Sequence, residues 1–251
     1  MVIMVIEISD FLSRVEASQY SIFTQKFHSS VSKTLRKFNG SIERKDNNNY
    51  LVSYQSVSDA IQCAIKIQYK FKYVTPKHKS FSRRLNIAIC ASDTLSKASI
   101  TLATRMCEIV KDEVVISAGV KNEYESTSEN AVIDLELMRV LTLDEEQFLT
   151  KIMDYVELHW NKTEFNVSAF SKALGYTYAQ LYGRLMKLTG KTPNNFIKEF
   201  RLHKALELLH IQNGSITQIA QQTGFNSATY FSECFLNKYK IRPSKYLQQH
   251  S

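Results

Sequence analysis

Apolar residues fill Val2–Ile8 apart from Glu7, a pattern that predicts a buried strand. From Val15 to Phe38 the period changes. Tyr20, Phe23, Phe27, Val31 and Leu35 recur every three or four residues, as on one face of a long helix that Asn39-Gly40 would end. Ser41–Lys45 and Tyr50–Gln55 read as short strands around Asp46-Asn47-Asn48-Asn49, because Asn and Asp tolerate turn conformations. Ser58–Tyr73 is helical, with Ala60, Ala64, Ile67 and Phe71 on one face; Leu85–Cys90 is a strand, Ser96–Val110 a helix and Glu113–Ser117 a strand. Strands alternating with amphipathic helices predict an α/β or α+β sandwich over residues 1–120. Residues 121–145 are expected to supply a last strand and an acidic linker. Asp144–Trp160 then forms one helix, with Phe148, Ile152, Tyr155 and Val156 facing inward, and beyond Asn161 no strand pattern remains.

Residues 146–250 contain one pattern twice. Asn166-Val167, Phe170, Gly175, Leu181, Leu185, Pro193 and Phe196-Ile197 form the first series. Ser215-Ile216, Ile219, Gly224, Phe231, Phe235, Pro243 and Tyr246-Leu247 repeat it 49 to 50 residues later. Asn166 and Ser215 can cap a helix start, Gly175 and Gly224 can end a helix in a left-handed conformation, and Thr177 and Asn226-Ser227 can cap the helix that follows. Each series therefore predicts a helix-turn-helix, the unit that lays its second helix in a major groove.

Charge changes the picture by its distribution. Residues 1–120 carry 17 Lys and Arg against 10 Asp and Glu, residues 121–160 carry 3 against 10, and residues 161–251 carry 12 against 4. A basic C-terminal unit behind an acidic stretch favours a polyanion as its partner. At 251 residues and 44% hydrophobic content the chain can bury two cores. No apolar run approaches the roughly 20 residues of a membrane span. The N-terminal segment is too short and too poor in positive charge for a signal peptide, so a cytoplasmic protein without a membrane partner is expected. Cys63, Cys90, Cys107 and Cys234 show no metal-ligand spacing and read as reduced core thiols.

The wording of the repeat goes beyond a generic pattern. "LTGKTPNNFI" (Leu188–Ile197), "RLHKALELL" (Arg201–Leu209), "IAQQTGFNSATYFSECF" (Ile219–Phe235) and "IRPSKYL" (Ile241–Leu247) resemble the AraC/XylS family of bacterial transcription regulators, over about residues 145–250. The resemblance implies an all-α domain with two helix-turn-helix units bridged by the helix that contains Arg201–Leu209. It also implies double-stranded DNA as the partner, with recognition helices about one helical turn, roughly 34 Å, apart.

Helical phase names the faces. With Leu181 and Leu185 inward, Ala179, Gly183, Met186 and Lys187 lie opposite and Tyr182 lies at the flank. With Phe231 and Phe235 inward, Thr229, Glu233, Leu236 and Asn237 lie opposite, flanked by Ser232. The expected base-facing set is Thr177, Tyr178, Ala179, Tyr182, Gly183, Met186, Ser227, Thr229, Ser232 and Glu233. The expected phosphate contacts are Arg184, Lys187, Lys191, Arg201, Lys238, Lys240, Arg242 and Lys245, with Lys198 and Lys204 also available. Gly183 and Glu233 stand where the family usually places Arg, and Met186 and Leu236 where it often has Lys. Guanine reading from the centre of either helix is therefore not expected. Glu233 can accept from a cytosine amino group, and Met186, Leu236 or Ala179 can pack on thymine methyls.

Residues 1–120 resemble another family. "FNGSIERKDNNNYLVSYQSVSDAIQCAIKIQ" (Phe38–Gln68), "RRLNIAI" (Arg83–Ile89) and "ASITLATRMCEIVKDEVVISAGV" (Ala98–Val120) are similar to the class III nucleotide cyclase domain. That resemblance implies a ferredoxin-like α/β fold that pairs head to tail. The family's chemistry needs two carboxylates holding two metal ions. Glu7 falls near the first position, Asn48 falls at the second, Thr101 aligns with the transition-state Asn, and only the nearby Arg, at Arg105, is kept. A neutral amide is a poor divalent-metal ligand, so no catalytic residue, metal or cofactor is expected. His28, His78, His159, His203, His210 and His250 are scattered without HExxH spacing, and no Walker loop, GxSxG or GxGxxG occurs.

The sequence thus points to a DNA-binding transcription regulator whose N-terminal domain senses a small-molecule effector or forms a homodimer. The alternatives are a cyclase with a DNA-binding appendage, or an interaction protein with degenerate helix-turn-helix units.

Overall fold

Strand β1 (Val2–Ile8) is central because six of its seven residues are buried and it is flanked by strands on both sides. The computed structural model describes residues 1–8, 17–46, 48–74, 85–111, 113–127 and 133–250, the side chains of 17–24, 72–74 and 250 excepted. Val15, Asn47, His78, Arg83 and Arg84, and the side chains of Tyr20, Phe23 and His250, lie outside the described residues. These residues fall into two compact units, one within 1–150 and the other within 151–250, and the division lies inside one helix.

In the first unit β1 is followed by α1 (Ala17–Lys37), β2 (Ser41–Lys45), β3 (Asn49–Tyr54), α2 (Val57–Val74), β4 (Leu85–Ala91), α3 (Lys97–Ile109), β5 (Val114–Ile116), α4 (Ala118–Thr127) and β6 (Arg139–Val140). The mixed sheet runs β2-β3-β1-β4-β5-β6. Strand β1 is antiparallel to both β3 and β4, and β5 and β6 extend the sheet in parallel. The first four strands thus have βαββαβ connectivity. Val2, Met4, Ile6 and Ile8 share a core with Phe27, Val31 and Leu35 of α1 and Ala60, Ala64 and Ile67 of α2. Period-two alternation sends Ile3 and Val5 to the other face, where both are buried. There α3 packs on β1 and β4, and the Cys107 thiol donates to the Asn86 carbonyl at 3.3 Å. All four cysteines are free thiols.

The Asp46 carboxylate accepts from the Asn48 and Asn49 N–H groups and closes the β2–β3 turn. Strand β2 is exposed along its whole length, and its pairing with β3 shifts register between Ile42 and Arg44.

Residues 121–145 contain the expected last strand, and helix where a linker was expected. They hold most of α4, the two-residue β6 and the start of α5 (Leu143–His159). Helix α4 buries only Val120, so it leaves no apolar period to read. Its start is supported from outside: the Ala118 N–H donates to Glu146 Oε1 of α5 at 2.7 Å. Burial raises the Glu146 pKa, and that backbone donor opposes the rise.

The second unit is entirely helical: the end of α5, α6 (Val167–Leu174), α7 (Tyr178–Thr189), α8 (Pro193–His210), α9 (Ile216–Gln222), α10 (Ala228–Tyr239) and α11 (Pro243–His250). Among the described residues no helix is long and apolar enough to cross a membrane.

Candidate nucleic-acid interface

The two repeats build two helix-turn-helix units of the same kind. In the first, Asn166 Oδ1 accepts from the Ala169 N–H at 3.0 Å, and α6 stops at Gly175 with φ +73°. Thr177 and Gln180 then form a reciprocal capping box that starts α7. In the second, Ser215 and Gln218 form the box of α9, Gly224 takes φ +76°, and Ser227 caps α10. One extra residue separates Gly224 from its cap, so the second turn is longer. Leu181 and Leu185 are fully buried in α7, as are Phe231 and Phe235 in α10. Aromatic rings fill both interiors. Phe170 stacks on Tyr155 and Phe196 in the first, and Phe235 lies 4.6 Å from the Tyr239 ring in the second.

Burial of those four residues turns the expected base-facing sets outward. Tyr178, Ala179, Tyr182, Gly183 and Met186 are exposed on α7, as are Thr229 and Glu233 on α10. Thr177 and Ser227 are exposed but committed to capping. Ser232 is half-buried and donates to the Ala228 carbonyl at 2.8 Å. Tyr230, 54% exposed, belongs to the outer surface of α10, although the sequence reading passed over it. Its signal was the offset of 50 from Gln180, which holds the same first-turn place.

Gly183 has ordinary helical geometry, and a Cβ added there would meet nothing within 4 Å. Nothing inside the protein demands a glycine at this position. Gly183→Ala is therefore expected to stabilise the C-terminal unit by about 0.5–1 kcal/mol, measured as a higher urea midpoint.

The cations divide into two groups. Lys187, Lys240, Arg242 and Lys245 are exposed, and Arg184 lies over the Tyr176 ring, 5.3 Å from its centroid. Lys240 also donates to the Asn237 carbonyl at 2.7 Å. Lys191 and Lys238 converge on one carboxylate, Glu199 of α8, at 3.0 and 2.7 Å. Burial pushes the Glu199 carboxyl up, but the two ammonium groups outweigh it and its pKa is lowered. A depressed carboxyl pKa stabilises the fold above the unfolded value of about 4.3 and loses that effect as pH falls through the folded value. Glu199 had no local signal, because Lys238 is 39 residues away. Glu199→Gln is expected to cost about 0.5–1 kcal/mol at neutral pH. It should also release both lysines, so any salt dependence of DNA retention steepens by about two phosphate contacts.

Arg201 corrects the sequence expectation. Its half-buried guanidinium is held by carbonyls of the protein itself. Nε donates to the Trp160 carbonyl at 2.7 Å, and Nη2 donates to the carbonyls of Lys162 and Phe165 at 2.7 and 3.1 Å. The same group abuts the turn of the second unit, where a Cβ on Gly224 would lie 2.9 Å from Nε. Arg201 thus ties the entry of the first unit to the turn of the second. Burial lowers its pKa, yet it stays charged at neutral pH.

In the N-terminal unit Glu7 lies on β1 opposite Asn49 and Asn86. The Asn48 carbonyl accepts from the Ile8 N–H at 3.0 Å, Thr101 lies on α3, and Arg105 is buried. Among the described residues no group of three or more His, Cys, Asp or Glu side chains could hold a metal ion. His28 pairs with the Tyr50 hydroxyl, His159 with the Tyr155 carbonyl, His203 with Glu207 and His210 with the Tyr246 hydroxyl.

Residues 170–249 match the family model described as a helix-turn-helix domain. The chain is 40% identical to histidine kinase P4 of Formosa agariphila over 107 residues, which are 43% of this chain and 8% of that protein. It is 28% identical to the HTH-type transcriptional regulator MtrA of Neisseria gonorrhoeae over 46% of this chain and 38% of that one. With the HTH-type transcriptional activator RhaS of Mannheimia succiniciproducens it shares 40% identity over 25% of this chain and 24% of that one. The chain thus spans well under two thirds of each of these relatives. Among solved structures, a transcriptional regulator with an AraC-type DNA-binding domain from Chromobacterium violaceum aligns at 27% identity, covering 43% of this chain and 96% of that one, with a TM-score of 0.39. The adenylyl cyclase CyaB from P. aeruginosa aligns at 15% identity, covering 50% of this chain and 80% of that one, with a TM-score of 0.44.

Proposed function

We propose that this chain is a sequence-specific, DNA-binding transcription regulator of the AraC type. The observation that carries this reading is the pair of equally built helix-turn-helix units on one bridging helix, α8, each with the outer face of its second helix exposed. Helices α7 and α10 enter successive major-groove faces of double-stranded DNA, and Arg184, Lys187, Lys240, Arg242 and Lys245 meet phosphates. About five such contacts correspond to a log–log salt slope near −4.5. Footprinting on the promoter region of the protein's own gene over a salt series tests the reading. Protection that weakens with salt at this slope is expected, and no salt-sensitive protection at any concentration would refute it.

The N-terminal unit serves as the regulatory or dimerisation module. Its βαββαβ connectivity supports a ferredoxin-like, cyclase-like reading, and Asn48 supports a role without catalysis. Cyclic product formed from ATP or GTP with Mn²⁺ would overturn the non-catalytic part. A small-molecule effector or a second copy acting through this unit then changes how the two DNA-reading helices meet the promoter.

A further inference from the structure

We propose that α7 reads thymine through its C5-methyl group, so that the half-site of the first helix-turn-helix unit is rich in A·T pairs. The inference rests on the DNA-binding reading above and goes on to name what one helix recognises.

Four observations converge on it. First, the outward face of α7 carries Tyr178, Ala179, Tyr182, Gly183 and Met186, all uncharged, with Lys187 as its one cation. Tyr178 is 54% exposed, Tyr182 39% and Met186 36%, so the face is open and largely apolar. Second, two polar side chains beside that face have contacts within the protein. Gln180 Oε1 accepts from the N–H and hydroxyl of Thr177 in the capping box, at 2.9 and 3.1 Å. Arg184 is drawn back over the Tyr176 ring. A guanine contact needs two donors aimed together at O6 and N7, and the five uncharged residues offer only phenol hydroxyls; the other donors nearby are the Gln180 amide and the Lys187 ammonium. Third, Gly183 lies between Ala179 and Met186 one turn away on each side, with open space where its Cβ would be. The thymine methyl is the one base-edge group that projects into the major groove as a hydrocarbon. An open position between Ala179 and Met186 leaves room for it. Fourth, exposed Lys187 stands one residue beyond Met186, where a cation can anchor a polyanion beside an apolar face. Helix α10 differs: Thr229, Tyr230 and Glu233 make its exposed surface polar. The two half-sites are therefore unlike in base composition.

The test uses the full chain and a library of synthetic duplexes with a randomised core. Selected duplexes are expected to enrich A·T pairs in one half-site. In that half-site deoxyuridine is then substituted for thymidine, which keeps every base pair and removes only the methyl. Binding should weaken about three- to fivefold for each methyl that is read. In Met186→Ala the penalty at one position should shrink towards none, while salt-dependent retention of the uracil duplex stays as in the wild type. That last readout guards against a folding defect. Glu233→Gln should leave the uracil penalty intact.

Equal affinity for thymine and uracil duplexes in both half-sites overturns the inference, even where salt-sensitive binding persists and the DNA-binding reading survives. Enrichment of G·C pairs opposite α7 overturns it as well. Retention of no duplex at any salt removes the DNA-binding reading and this inference together. DNA binding that is unchanged when Tyr182 and Met186 are both replaced by serine assigns the apolar face to a protein partner instead, and also overturns it.

Discussion

Arg201→Met is expected to destabilise the C-terminal unit by about 3 kcal/mol. Methionine keeps an apolar stem but leaves the carbonyls of Trp160, Lys162 and Phe165 without their charged donor. Hydrogen bonds to charged groups contribute about 1.5–3 kcal/mol each when shielded, and the exposed surroundings of Lys162 reduce the total. Trp160 is the single tryptophan of the chain, so its fluorescence in a urea titration reports on this clamp directly. A midpoint unchanged from wild type, together with a salt slope shallower by about one contact, would return Arg201 to the phosphate backbone and sink the clamp assignment. Gly224 supplies a second check. Gly224→Ala places a side chain at positive φ and 2.9 Å from Arg201 Nε, for an expected cost of about 2 kcal/mol. In the Arg201→Met background part of that cost should vanish, because the clash is gone and only the backbone strain remains.

Phe235→Ala is expected to cost about 3–5 kcal/mol. The ring is fully buried and lies against Phe231, Tyr239 and Tyr246, with centroids 5.7, 4.6 and 6.2 Å away. That is a large share of a domain's ordinary stability of about 5–15 kcal/mol. Helix α10 should lose its fixed seat, and DNA retention should fall with it. Phe235→Leu preserves most of the apolar volume and should cost markedly less. Circular dichroism in urea gives both values, and a loss below about 1 kcal/mol for the alanine variant would mean that the ring does not anchor this core.

The fold was legible wherever its cause was local. Caps at Asn166, Thr177, Ser215 and Ser227, the left-handed Gly175 and Gly224, and the apolar periods of α7 and α10 are short-range physics, and the structure places them as read. The strands of the N-terminal sheet were legible for the same reason, to within a residue or two at most ends. The rest depended on partners distant in sequence. Helix α4 is held at its start by Glu146, 28 residues on. Glu199 draws in Lys238, and Arg201 finds carbonyls 36 to 41 residues before it. A cation in sequence is only a cation. Whether it meets a phosphate or closes a turn is decided by which carbonyls and carboxylates the fold brings beside it, and for Arg201, Lys191 and Lys238 those groups lie apart in sequence.

Strand β2 bears on how copies of this chain could meet. An open sheet offers unpaired N–H and C=O groups along its outermost strand, a template onto which a strand from another chain can zip. Here that strand reads Ser-Ile-Glu-Arg-Lys, its register with β3 is broken midway, and Glu43, Arg44 and Lys45 load it with charge of both signs. At the far border β6 has two residues, too short to seed a ladder. Strand exchange between copies and fibrous growth are disfavoured at both borders. Any self-association of the N-terminal unit therefore has to come from side chains packing across faces, which makes it sensitive to single substitutions in a way a shared ladder would not be.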